Sequence, residues 1–331
     1  MDLVKLDKDD YQEYDKLVEG SHEGSFFHKS WWLECMERNY GMDVPIYGLF
    51  ESDELVSAMP IPTRKVAGMT WIYPPYITPY MGPVFANKEY KREYKLNSWK
   101  KRIKCLYAKK LGNIGRCLYY PFLYNVKDIM PFEWEGYRSG VSYTYLLDVS
   151  NLETVWENMD RSNKKHIKAN QNNGIKIREG TCEELYVCLS NSMNRKGHPC
   201  LGEKVLEDIV KVCCGHDCGR IFSADIDEKL LGCILLVYDE KRSYGLSCGR
   251  TDDSHNATTS LFWECFKYTN EVLKLDTYDF EGSCHSSIEP FFRSFNGQLV
   301  PYYYIEIDNP IYGMAQKAIR KFNSMRNPKR Y

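Results

Sequence analysis

YDFEGSCHSSIEPFFRSFNGQLVPYYYIEI, residues 278–307, decides how this chain is read. Tyr278-Asp279-Phe280 alternates apolar and polar side chains as a strand does, and Glu281-Gly282-Ser283 breaks the alternation where a backbone must approach something. Just upstream, LFWECFKYTNEVLK (261–274) repeats apolar residues at helical spacing. Before it, LLGCILLVY (230–238) and SYGLSCGR (243–250) read as strands. The order is strand, strand, helix, short strand, helix, aromatic strand. In alternating folds, ligands collect in the crevice at the carboxyl ends of strands. Glu281 is therefore the first candidate for a catalytic group, with Asp279 two residues earlier on the same face of a regular strand. Phe291, Phe292 and Phe295 stand at helical spacing and read as core.

Length and composition narrow the class. A chain of 331 residues has room for about two domains, and 43% hydrophobic with 14% aromatic residues can build packed cores. Its 44 basic and 45 acidic side chains nearly cancel, so no global field marks a DNA-binding protein. Thirteen cysteines without an even, regular framework point to a reducing, cytoplasmic setting. The charged amino terminus lacks the apolar core of a secretion signal. Residues 66–87 are uncharged, but Pro74, Pro75, Pro79 and Pro83 exclude an ordinary spanning helix.

Working back toward the amino terminus, residues 9–18 read as a short polar helix and 31–40 as a second, stopped by Gly41. VPIYGLFES and ELVSAMPIPTR form a strand pair. WIYPPYITPYMGPVF (71–85) is a long aromatic loop in which Tyr76 and Tyr80 either wall an acceptor groove or pack the loop on its own rings. Residues 87–110 carry a local charge of +8 with interleaved aromatics, the pattern of a solvated helix face with anchors or of an RNA contact. Leu118–Tyr124 is a further apolar strand. Past residue 140, YTYLLDVS is a strand, Ser150 to Glu153 a capping box opening a helix, and Gly174 a left-handed stop. Cys213, Cys214, His216 and Cys218 lack the spacing of a structural zinc site, so no metal is expected.

The closing stretch, taken with SFFHKSWWLECMERNYG (25–41) and MDRSNKKHIKANQNNGIKI (159–177), resembles the FemAB-like branch of the GNAT acyltransferase superfamily, in the family's order along nearly the whole chain. The resemblance implies an α/β fold of two tandem GNAT-like domains, each a mixed twisted sheet flanked by helices, at residues 1–139 and 140–331. It implies transfer of an acyl (acetyl) or aminoacyl group onto an amine of a cell-wall (peptidoglycan) or polysaccharide precursor. Acyl-CoA is the favoured donor, because the long helical arm of tRNA-using members is missing; aminoacyl-tRNA is the alternative. In the family, the basic segment bearing Arg161, Lys164 and Lys165 approaches an anionic substrate; a solvated basic helix gives the same letters. A catalytically silent tandem-GNAT module binding a glycan or peptide is a second reading, and an RNA-contacting protein a third.

GNAT members splay two adjacent strands so that backbone amides face the thioester, and the next helix start holds a pyrophosphate. Here that implies Arg250, Asn256, Ala257, Thr258 and Thr259 as donor-binding residues. The family's glycine-rich consensus is absent from TDDSHNATTS (251–260), and Asp252 and Asp253 would repel phosphate. His285 and Arg293 complete the expected acceptor side, with Arg293 suited to a bidentate hold on a carboxylate or phosphate.

Overall fold

The structure is a computed structural model and describes residues 2–251, 254–282 and 285–307. The amino-terminal half runs β1 (Val4–Lys5), α1 (Tyr11–Gly20), α2 (Ser30–Tyr40), β2 (Ile46–Glu51), β3 (Glu54–Pro60), β4 (Thr63–Val66), β5 (Met69–Ile72), β6 (Val84–Phe85), α3 (Glu93–Ile114), β7 (Arg116–Cys117), β8 (Tyr120–Pro121) and α4 (Met130–Trp134). It holds a four-stranded sheet ordered β1-β2-β3-β6 and a three-stranded one, β4-β5-β7. The strand expected over Leu118–Tyr124 shrinks to β8. Instead of closing its own half, β8 pairs with the last strand of the chain.

The second half runs β9 (Tyr137–Asp148), α5 (Leu152–Asn158), α6 (Arg161–Asn172), β10 (Lys176–Glu179), α7 (Cys182–Lys196), α8 (Glu203–Gly215), β11 (Gly219–Ile226), β12 (Lys229–Tyr238), β13 (Ser243–Arg250), α9 (Ala257–Lys267), β14 (Thr277–Asp279), α10 (Glu289–Arg293) and β15 (Gln298–Ile307). Its strands order as β10-β11-β12-β13-β14-β9-β15-β8. Among the described residues of this sheet only β13 and β14 pair in parallel. The division expected after residue 139 falls inside β9. Helix α5 is capped by Asn151, whose side chain accepts from Thr154 N–H, and not by Ser150. The Ser150 hydroxyl is already committed to Asp148 Oδ1 at 2.6 Å. Thr181 and Glu184 form the reciprocal capping box, at the start of α7.

The continuous apolar run of β12 follows from burial on both faces. Cys233, Leu235 and Val237 join the core shared with α7, α8 and the amino-terminal half. Leu231, Ile234, Leu236 and Tyr238 join the second core, under α5, α6 and α9. Where α7 crosses β13, Gly249 allows backbone to lie on backbone: a Cβ there would sit 2.3 Å from the Cys188 carbonyl carbon and 2.4 Å from Leu189 N. Gly249→Ala is accordingly expected to destabilise the fold by about 2–3 kcal/mol, read as a lower urea midpoint at unchanged m-value. No helix among the described residues is long and apolar enough to cross a membrane.

Candidate active site

The site grows from a break in the sheet. Strands β13 and β14 pair only at Ser243 with Tyr278 and Tyr244 with Asp279, and then part. Two local features open the gap. The register between β12 and β13 shifts by one residue, so that Leu246 is the extra residue of a bulge. On the other side, β14 ends at Asp279 and the chain turns through left-handed conformations at Glu281 (φ +59°) and Gly282 (φ +71°). A left-handed glutamate is strained by about 1–3 kcal/mol, and such strain persists only where its surroundings over-determine it.

Here the surroundings do. Asp279 Oδ1 accepts from the Glu281 N–H at 2.8 Å, the Thr144 hydroxyl at 2.7 Å and the Tyr80 hydroxyl at 3.1 Å. Thr144 Oγ1 in turn accepts from the Gly282 N–H at 2.8 Å. Asp279 therefore builds the turn that carries Glu281. The regular strand that would have put both carboxylates on one face stops short of Glu281. Tyr80, for which the sequence leaves a groove wall and a ring packed within its loop both open, is wholly buried and donates its hydroxyl to Asp279.

Three neighbouring side chains each leave a buried polar atom without a hydrogen-bond partner among the described residues: Tyr278 Oη, Asp279 Oδ2 and Glu281 Oε1. Buried polar atoms are normally paired, so a run of three marks a place built for something else. Burial pushes the Asp279 carboxyl up to about 6, against the pull of Thr144, the Glu281 N–H and nearby Arg242. Glu281 is raised well above the usual carboxylate range, first by burial and then by the Asp279 charge. Carboxyls raised by burial in this way suit proton transfer.

A cavity of about 550 Å³ lies along β13 beyond the point where the strands part. Its walls are the β13 backbone from Gly245 to Arg250, the carboxyl end of α7, Thr258 and Phe262 of α9, and the α10 segment. Thr251 N–H bonds back to Leu231 on the β12 side. Alternation along the strand then aims the N–H groups of Arg250 and Cys248 at the opening. Arg250 N–H is taken by Ser192 Oγ at 2.9 Å, and the Arg250 carbonyl accepts from Arg195 at 3.0 Å. The Cys248 amide is the donor aimed into the gap. Arg195, Lys196 and Arg250 put three cations on the cavity wall, and none of its lining residues is acidic among those described.

The sequence-derived residues divide. Arg250, Thr258 and Tyr76 line the cavity, whereas Asp279, Glu281, Asn256, Ala257 and Thr259 do not. Asn256 instead opens α9 in a left-handed conformation (φ +58°), without a side-chain cap bond. Asp252, Asp253 and Ser283 lie outside the described residues. Arg161, Lys164 and Lys165 occupy the start of α6, where Lys164 Nζ donates to the Glu157 carbonyl at 2.7 Å. His285 is exposed, its Nδ1 2.8 Å from Ser287 Oγ, and Arg293 pairs with Glu289 at 3.1 Å. Thr144, Ser192, Arg195 and Lys196 went unread. Period-two counting along YTYLLDVS was the available signal for Thr144, and the basic last turn of α7 for the two cations.

The basic segment 87–110 is largely occupied within the molecule. Lys88 and Arg102 face Glu51, Lys100 faces Glu23, Lys101 and Lys104 face Asp128, and Lys109 faces Glu135. Lys110 lies over the Tyr47 ring. Of the cysteine group, Cys213 is buried in the core and Cys214 exposed, and Trp31 stacks on His216 with ring centroids 4.4 Å apart. Among the described residues no three His, Cys, Asp or Glu side chains converge as a metal ion would require.

No family model and no curated protein matches the sequence. Solved structures do match its fold. FemX superposes with a TM-score of 0.70 at 13% identity, over 95% of this chain and 99% of that one. L-PGS from Bacillus licheniformis gives 0.57 at 11%, over 92% and 93%. A tandem GNAT protein from the clavulanic acid biosynthesis pathway gives 0.54 at 8%, over 93% and 98%. The chain shares the fold of these structures, a tandem GNAT-like α/β architecture in which sheets are flanked by helices.

Proposed function

We propose that this protein is an N-acyltransferase whose chemistry takes place where β13 and β14 part. The observation that carries the reading is Glu281, a strained and partly buried carboxylate with an unpartnered oxygen at the tip of β14. In the reaction the acceptor ammonium gives a proton to the Glu281 carboxylate, and the freed amine nitrogen attacks the donor carbonyl carbon. A C–N bond forms while the carbonyl electrons move onto oxygen, which the Cys248 N–H stabilises. Collapse breaks the C–S bond of a thioester or the C–O bond of an ester, and the leaving group takes up the proton.

The donor is an acyl-CoA in this reading. Arg195, Lys196 and Arg250 offer charge to its phosphates, and aminoacyl-tRNA is the alternative donor. The acceptor is an amine of a cell-wall or polysaccharide precursor, as the family resemblance implies. The test is thiol release from an acyl-CoA in the presence of amine acceptors, alongside a melting-temperature scan with acyl-CoA and aminoacyl-tRNA. Acceptor-dependent thiol release is expected. Consumption of neither donor, with ligand binding unchanged in Glu281→Gln, would leave a binding module in place of an enzyme.

A further inference from the structure

We infer that the transferred group is a long apolar acyl chain, housed in the cavity that β13 shares with α7, α9 and α10. The inference rests on the acyl-transfer reading and names the donor class. The cavity measures about 550 Å³. A methylene occupies roughly the space of one water, about 30 Å³, so a ten-carbon chain needs on the order of 300 Å³. The wall that such a chain would meet is apolar: Leu189 and Met193 from α7, Leu246 from the bulge, Phe262 from α9, and Phe291 and Phe292 from α10.

Its floor is also preformed. Phe262 packs edge-on against Phe291 at 5.3 Å, and Phe292 lies 4.8 Å from Phe280. The charged wall, with Arg195, Lys196 and Arg250, gives the cavity a polar side and an apolar side, the division that an amphipathic thioester requires. The chemical step is unchanged by chain length. The acyl carbon bonds to the amine nitrogen, its bond to sulfur breaks, and the thiolate leaves with the amine's proton.

Binding and turnover of the full chain would be measured with acetyl-, hexanoyl- and decanoyl-CoA, with free CoA and free decanoate as separate probes. Each methylene buried is worth about fourfold, so decanoyl-CoA is expected to exceed acetyl-CoA at least about 100-fold in affinity and in kcat/KM. Met193→Trp should shift the optimum toward shorter chains and Met193→Ala toward longer ones. If the Trp variant fails to fold, the wild-type series and the Ala variant still decide. Equal use of acetyl- and decanoyl-CoA would overturn the inference and leave the transferase intact. Binding of decanoate with rejection of every thioester would keep the apolar site and overturn the coenzyme A donor. Binding of none of the probes would overturn both.

Discussion

Glu281→Gln is expected to lower kcat about 100- to 10,000-fold while donor affinity stays within a few fold of wild type. Glutamine keeps the size of the side chain and loses the ability to accept the ammonium proton, and positioned acid–base groups contribute rate factors of that order. Because burial and Asp279 hold the Glu281 carboxyl well above its ordinary range, wild-type kcat should rise with pH as the carboxylate ionises. The residual activity of the Gln variant should be flat over the same interval. The substitution also replaces a buried ionisable group with a neutral one, so its melting temperature should equal or exceed that of wild type. A drop in both stability and donor binding would place Glu281 in the framework and not in the chemistry.

Asp279→Ala should have the larger effect on stability, about 3–5 kcal/mol. Removing the acceptor strands the Tyr80 hydroxyl, the Thr144 hydroxyl and the Glu281 N–H together in a fully buried setting. Glu281 would lose the contact that holds its left-handed turn, so kcat should fall with stability. Asp279→Asn keeps an oxygen at Oδ1 and should be much milder. The two variants also separate a pH effect. The Asp279 pKa of about 6 in the folded state lies above that of an unfolded aspartate, so the native state holds the proton more tightly. Its contribution is full below about pH 4 and is lost as pH rises through 6, about 3 kcal/mol in all. Urea unfolding at pH 4, 5, 6 and 7 should show that decline in wild type and a shallower one in Asp279→Asn, where Glu281 alone still holds a proton more tightly in the folded state.

What could be read from the letters was local. The apolar run at 230–238 declares a strand covered on both faces, and two helices have apolar faces facing such a sheet. The parting of β13 from β14 was legible only as a family expectation, because it depends on a bulge at Leu246 and on a partner strand more than thirty positions away. Nothing in Glu281 itself announces a positive φ. That conformation is imposed by Asp279 and by Thr144, which reaches Asp279 across 135 positions of chain. The same non-locality hides the pairing of residues 87–110: several of their cations face Glu23, Glu51 and Asp128, carboxylates remote in sequence. Ser150 was one residue early as a cap because Asp148 claims its hydroxyl first.

The most direct measurement is a crystal structure with a non-hydrolysable acyl-CoA analogue bound. The carbonyl oxygen should lie between β13 and β14, about 2.7–3.1 Å from the Cys248 amide nitrogen, with the Glu281 carboxylate facing the acceptor side of that carbon. A carbonyl bound outside the parted strands, or one facing Glu281 with no backbone donor near it, would contradict the assignment of the gap as the place where the bond is made.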